Sequence, residues 1–208
     1  MEGNKLIAII DYGAGNIMSV QKALDYIGSD AEVTSDAAKI LAADGAILPG
    51  VGSFGDAMDN LEKSGLVSAV KEFVASGKPF LGICLGLQIL FDKSDESPDV
   101  QGLSIFGGEV SRFPSDMGLK IPHIGWNSIE YNRDCPIFKG LPETPYVYFV
   151  HSYYLNAADE SVVSATADYG IKFHAAAWKG NVFATQFHPE KSGSVGLQIL
   201  RNFAELTK

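Results

Sequence analysis

Apolar positions fall in two different rhythms along this 208-residue chain. As far as Phe91, short unbroken apolar runs alternate with stretches in which apolar residues recur every three or four positions. The runs are Leu6-Ile7-Ala8-Ile9-Ile10, Ala46-Ile47-Leu48 and Phe80-Leu81-Gly82-Ile83. Runs of this length, bounded by turn-forming residues, predict strands buried on both faces of a parallel sheet. Between them, Ile17, Val20, Leu24 and Ile27 share one face of a helix that Asn16 would cap and Gly28 would end. Ala31–Thr34 reads as a short strand and Ala37–Ala42 as a short helix. Residues 56–63 and 66–75 read as two helices with Ser64-Gly65 between them. Leu85, Leu87, Gln88, Ile89, Leu90 and Phe91 suit a further helix.

The second half has a strand rhythm. After a polar loop at 95–101, strands are predicted at 104–113, 121–131, 146–156, 161–166, 173–179 and 182–187, with Lys179-Gly180-Asn181 as a hairpin turn. A closing helix spans 195–206, with Leu197, Ile199, Leu200 and Phe203 available for burial. The alternation predicts an α/β fold: a mostly parallel central sheet with flanking helices, extended by antiparallel strands. With no repeat, low-complexity segment or linker, residues 1–208 are expected to form a single domain.

Charge and cysteine content narrow the function classes. The net charge of −9 is offset by no basic stripe, which argues against a nucleic-acid partner. No apolar run reaches membrane-spanning length. The start, Met1-Glu2-Gly3-Asn4-Lys5, lacks the marks of a signal peptide. Two cysteines imply no disulfide framework, so a reducing cytoplasmic setting is expected. There is no C-x-x-C, H-E-x-x-H or Walker loop, so neither a metal nor a cofactor is indicated. Asp11-Tyr12-Gly13-Ala14-Gly15-Asn16 approaches a dinucleotide fingerprint, but its third glycine position is Met18, and Glu32 is too early for the ribose-binding acid.

The strongest chemical signal is Gly82-Ile83-Cys84-Leu85-Gly86, at the junction of a predicted strand and helix. A sharp turn there brings backbone close on both sides. Glycine two residues before and after the cysteine removes the side chains that would clash. The turn lifts the sulfur above the sheet and places it near a helix N-terminus, where a thiolate is favoured. A plain core strand would gain nothing from the two glycines. Cys135, followed by Pro136 without such a pair, is given no role.

A thiolate nucleophile needs a base and a group to orient it. Of four histidines, His188 ends a predicted strand in His188-Pro189-Glu190. Proline biases His188 toward extended backbone, and residues two apart then lie on one side. Glu190 can therefore turn back onto the His188 ring, giving Cys84, His188 and Glu190 as nucleophile, base and acid. An oxyanion hole needs backbone donors. The Leu85 N–H follows from the elbow, and Pro49-Gly50-Val51-Gly52, at the end of a predicted strand, is the candidate for a second.

Taken together, PGVGSFGDAM, GICLGLQ and ATQFHPEKS resemble the motifs of the class I, triad-type glutamine amidotransferases, in that family's order and spacing. The resemblance implies a glutaminase: Cys84 attacks the side-chain amide of glutamine, His188 passes a proton to departing ammonia, and water releases glutamate from a thioester. DYGAGNIMSV, PHIGWN and YFVHSYY narrow the resemblance to the amidotransferase subunits of imidazole glycerol phosphate synthases, which act in histidine biosynthesis. Such a subunit pairs, as a heterodimer, with a (βα)8-barrel cyclase that receives ammonia through an internal channel. The resemblance further implies glutamine contacts at Gly50, Val51, Gly52, Leu85, Gln88, Ser152, Tyr153 and Tyr154, and an interface or gate at Trp126, Tyr148 and Lys179. An amidotransferase of another pathway, a cysteine hydrolase on a related fold and a non-enzymatic binding module stay open at this point.

Overall fold

The computed structural model describes residues 5–207. The elements, in chain order, are β1 (Ile7–Ile10), α1 (Ile17–Tyr26), β2 (Ala31–Thr34), α2 (Ala37–Ala42), β3 (Gly45–Gly50), α3 (Phe54–Lys63), α4 (Val67–Ala75), β4 (Phe80–Cys84) and α5 (Leu85–Gln88). They continue with β5 (Lys93–Ser94), β6 (Gly108–Arg112), β7 (His123–Ser128), β8 (Glu130–Tyr131), β9 (Tyr146–His151), β10 (Tyr153–Ala157), β11 (Val163–Asp168), β12 (Lys172–Lys179), β13 (Val182–Thr185) and α6 (Gly193–Glu205).

The main sheet runs β2-β1-β3-β4-β13-β12-β10-β6-β5, with β11 on β12 and β8 on β11. From β2 to β13 all pairings are parallel. This is the doubly wound order 2-1-3-4-5, with the fifth place filled by a strand from far along the chain. Beyond β13 the ladder turns antiparallel through β12, β10 and β6. The expected mostly parallel centre with an antiparallel extension is thus present. The unbroken apolar runs are explained by two cores, one on each face. Ala8, Ile10, Leu48 and Phe80 point to one side with Phe54, Leu61 and Phe73. Ile7, Ile9, Ile47 and Leu81 point to the other with Phe183, Ile199 and Phe203.

Several elements differ from the sequence expectation. The helix after Cys84 ends at Gln88 rather than running to Phe91, because returning chain takes its carbonyls. Leu103 N–H donates to Ile89 O at 2.8 Å, Ile105 N–H to Leu90 O at 2.9 Å and Ser104 N–H to Phe91 O at 3.4 Å. Those bonds, with Ser104 at φ 53°, replace the first part of the strand expected at 104–113. The run 146–156 is two strands: β9 pairs with β7 in a separate two-stranded ladder, whereas β10 joins the main sheet between β6 and β12. A single apolar rhythm does not tell a chain when to change sheets. Asn16 occupies the N-cap of α1 but makes no side-chain capping bond. Ser53, by contrast, accepts from Asp56 N–H and caps α3.

Candidate active site at the strand-end cleft

β3, β4 and β13 are parallel neighbours, so their C-terminal ends open on the same edge of the sheet. At the end of β4, Cys84 takes φ 57° and ψ −108°. A non-glycine residue held there costs about 1–3 kcal/mol. Its neighbours explain why the chain can adopt it. A Cβ on Gly86 would lie 1.9 Å from Leu48 O, and one on Gly82 would lie 2.8 Å from Gly86 O. Only glycine at both places lets the turn fold against β3.

Beyond β13, His188 and Glu190 are joined by a 2.8 Å bond from His188 Nδ1 to Glu190 Oε1, with both side chains about 1% exposed. The turn carrying them is pinned from outside. His188 N–H donates to Tyr148 O, Ser192 Oγ donates to His188 O, and Tyr148 N–H donates to Ser192 Oγ. Burial opposes a charged His188 ring, but Cys84 and Glu190 together overcome it and raise its pKa to about 9. With Nδ1 committed to Glu190, Nε2 has no partner at hydrogen-bond geometry among the described residues.

Cys84 and His188 face one cleft of about 320 Å³, within the range of small-ligand sites. Its wall also includes Val51, Gly52, Leu85, Gln88, Glu96, Pro122, Val150, His151, Ser152 and Tyr153. Beneath the wall, Gln88 Nε2 donates to Tyr153 O at 3.3 Å and to Gln186 Oε1 at 3.0 Å. His151 Nδ1 also donates to Tyr153 O, at 2.8 Å, and its Nε2 meets His123 Nδ1 at 3.0 Å. A carbonyl only accepts, so His151 carries its proton on Nδ1 and His123 must donate to it from Nδ1. Burial keeps both rings neutral, lowering His123 to about 4 and His151 to about 3.

The family model for class I glutamine amidotransferases matches residues 8–206. The chain belongs to the class I glutamine amidotransferases. This amidotransferase is 55% identical to a protein of Syntrophotalea carbinolica named imidazole glycerol phosphate synthase subunit HisH, over 97% of this chain and 100% of that one. It is 52% identical to the protein of the same name in Moorella thermoacetica, covering 97% and 95%, and 50% identical to that of Methanosarcina barkeri, covering 97% and 99%. Its fold matches a solved structure of PurLQS from Thermotoga maritima with TM-score 0.74 at 18% identity, covering 99% of this chain and 100% of that one.

The amidotransferase brings most, but not all, of the expected positions to the cleft. Val51, Gly52, Leu85, Gln88, Ser152 and Tyr153 line it beside Cys84 and His188. Gly50 does not. It is the last residue of β3, in register with Cys84, and a Cβ there would sit 2.7 Å from Tyr12 Oη and 2.8 Å from Leu85 Cβ. Tyr154 does not either: strand alternation turns it away, onto the Phe113 ring at 4.8 Å. Trp126 and Tyr148 are paired across β7 and β9 with rings 6.1 Å apart. Lys179 lies far from both. It precedes the hairpin into β13, whose Val182 is level with Phe80 at the opposite end of β4 from Cys84. The lysine beside the site turn is Lys191, exposed directly after Glu190.

Besides Pro122 and Val150 in the cleft wall, four polar residues at or beneath the site escaped the sequence reading: Tyr12, Glu96, His151 and Gln186. Three of them sit inside motifs already noted, Tyr12 in DYGAGNIMSV, His151 in YFVHSYY and Gln186 in ATQFHPEKS. Glu96 belongs to a polar loop with no pattern of its own. It is placed by Phe54 N–H, which donates to Glu96 Oε2 at 2.7 Å. Burial, then the nearby Cys84, raises the Tyr12 pKa, and its hydroxyl has no partner among the described residues. Cys135 is buried away from the cleft, where burial pushes its thiol up to about 12.

Proposed function

We propose that this chain is the glutaminase subunit of an imidazole glycerol phosphate synthase. Identity of 50–55% over nearly full length to the three subunits of that name supports this reading above other amidotransferase pathways. The observation that carries the chemistry is the strained Cys84 facing the same cleft as a His188 ring that Glu190 holds. Glutamine occupies the cleft, with its ammonium toward the Glu96 carboxylate and its carbonyl oxygen toward the N–H groups of Leu85 and Val51. The Cys84 thiolate adds to the amide carbon. The backbone donors hold the oxyanion. As the C–N bond breaks, His188 Nε2 gives its proton to the leaving nitrogen, releasing ammonia and leaving a γ-glutamyl thioester. His188 then takes a proton from water, the resulting hydroxide attacks the thioester, the C–S bond breaks and glutamate departs. Glu190 fixes the His188 tautomer through both steps. No metal or cofactor takes part.

The ammonia goes to a (βα)8-barrel cyclase in a heterodimer, which forms imidazole glycerol phosphate and aminoimidazole carboxamide ribotide in the cytoplasm. One face of the β7–β9 ladder favours such docking. Ile124, Trp126 and Tyr146 are each 55% exposed on it, beside Tyr148 and Val150. This apolar face adjoins the cleft through Val150. The whole of residues 1–208 acts as one amidotransferase domain.

The test is glutamate release from glutamine by the chain alone, and then with the cyclase and its nucleotide ligand. Activity that rises in the complex and vanishes in Cys84→Ala supports the assignment. High activity indifferent to the cyclase overturns the pathway. No activity in a complex shown to form overturns the chemistry.

A further inference from the structure

A thiolate buried in a cleft needs donors, and the expected source is weak here. Helix α5 is one turn long, too short to present much of a dipole to Cys84. His188 faces the sulfur closely enough for Cys84 to be the leading cause that raises its pKa, but among the described residues its Nε2 has no partner at hydrogen-bond geometry. The donor that does reach the sulfur is Gln186 Nε2, at 3.7 Å from Cys84 Sγ.

That orientation follows from the surrounding bonds. The Tyr153 carbonyl only accepts, so the Gln88 atom facing it is the amide nitrogen. The same nitrogen faces Gln186, so the Gln186 atom it meets is the oxygen. The Gln186 nitrogen is thereby left on the side of the sulfur. His151 fixes the Tyr153 carbonyl from a third direction. Gln186 is completely buried, in a place where an aliphatic side chain would pack without needing partners. Its amide is nevertheless satisfied on one side by Gln88 and on the other by the nucleophile.

We propose that Gln186 is a catalytic residue of this site: its amide N–H holds the Cys84 sulfur as thiolate, and Gln88 positions it to do so. The proposal rests on the reading of Cys84 as nucleophile. The bond favours the charged sulfur over the thiol. It acts twice in turnover. It stabilises the thiolate before it adds to the amide carbon. It then stabilises the sulfur again as the thioester C–S bond breaks and the electron pair returns to Sγ. Gln88 has both its N–H bonds committed to Tyr153 and Gln186, so it offers the cleft only an acceptor.

The experiment is the pH dependence of Cys84 alkylation by iodoacetamide in the full chain, read by mass spectrometry so that Cys135 is scored separately. The other titratable groups around the sulfur are Tyr12 from the loop after β1, Glu96 from the loop after β5, His151 from β9, Tyr153 from β10, and His188 with Glu190. They are the same in every variant. Gln186→Met is expected to raise the alkylation midpoint by about one unit, a roughly tenfold slower reaction below it. Gln186→Glu, which replaces the donor by a charge, is expected to raise it further. Gln88→Met, which frees the Gln186 amide to turn, is expected to raise it less. In the complex, Gln186→Met should lower kcat and leave KM for glutamine unchanged, a split that a packing role would not produce. A wild-type midpoint in a folded Gln186→Met protein overturns the proposal. If that variant does not fold, wild-type midpoints in both Gln186→Glu and Gln88→Met overturn it. An electrophilic glutamine analogue that fails to label wild-type Cys84 would sink the glutaminase reading instead, and the midpoints would still report on Gln186.

Discussion

His188 Nδ1 lies 2.8 Å from Glu190 Oε1, and the contact is sealed from solvent. Against the cost of burial, the nearby Cys84 and then the Glu190 carboxylate hold the ring's pKa at about 9, above its ordinary value of 6.5. A raised pKa means that these two partners together add stability in full below pH 6.5, and that this contribution is lost as pH rises through about 9. Glu190→Gln keeps the shape and removes the charge. It is expected to flatten that alkaline loss of stability, and to lower kcat/KM for glutamine by about 10²–10⁴-fold. Thermal melts from pH 6 to 10 and a pH–rate profile check both. An unchanged rate would remove Glu190 from the mechanism.

His123 and His151 act at the other end of the pH scale. Both are buried neutral, with pKa values near 4 and 3 against 6.5 unfolded. Below pH 6.5 the unfolded chain takes up protons that the folded one refuses. Stability therefore falls with pH, at about 1.4 kcal/mol per unit from His151, and in the same direction from His123. Replacing both with asparagine is expected to shallow the slope between pH 6.5 and 4 in urea titrations. A slope equal to wild type would show that other groups carry it.

The elbow tolerates nothing at Gly86. A methyl group there would lie 1.9 Å from the Leu48 carbonyl, so β3 and α5 must separate. Gly86→Ala is expected to cost roughly 3 kcal/mol or more, or to prevent folding. Gly77→Ala meets no atom within 4 Å but keeps φ at +77°, and should cost only about 1 kcal/mol. Denaturant midpoints for the pair separate contact from backbone strain, and equal losses would contradict the distinction.

Tyr12 presents a different balance. Its hydroxyl is buried next to Gly50, without a partner among the described residues. Tyr12→Phe removes a polar group that gains nothing at rest, so stability should stay within about 0.5 kcal/mol or rise. A loss of 2 kcal/mol or more on melting would mean that the hydroxyl has a partner after all.

Docking can be probed on the outer face of the β7–β9 ladder. Trp126→Ala is expected to weaken cyclase binding by about tenfold or more, since large exposed aromatics dominate such surfaces. Lys179→Ala, at the far end of the sheet, should leave affinity unchanged. Calorimetric titration of both variants tests the placement, and the reverse ranking would move the interface.

Local chemistry wrote much of this protein directly into its sequence. The apolar runs of β1, β3 and β4 are legible because strands covered on both faces need no polar alternation. The Gly82-x-Cys84-x-Gly86 turn is legible because only glycine fits against Leu48 and Gly86 carbonyls. His188 and Glu190 lie two residues apart and His188 is extended as expected, but a single 3-10 turn over Pro189–Lys191, rather than an extended run, brings the carboxylate back onto the ring.

What only the tertiary structure decided are relations between residues distant in the chain. Gln186 reaches Cys84 across 102 positions, and Gln88 reaches Gln186 across 98. No spacing encodes those bonds, because they arise from the parallel pairing of β4 with β13. The ends of α5 and β9 were set the same way, by returning chain at Leu103 and by the change of sheet at Ser152. Lys179 fell at the wrong end of the molecule for a related reason. A sequence shows that a strand ends there, but only the sheet shows which end of it faces the nucleophile.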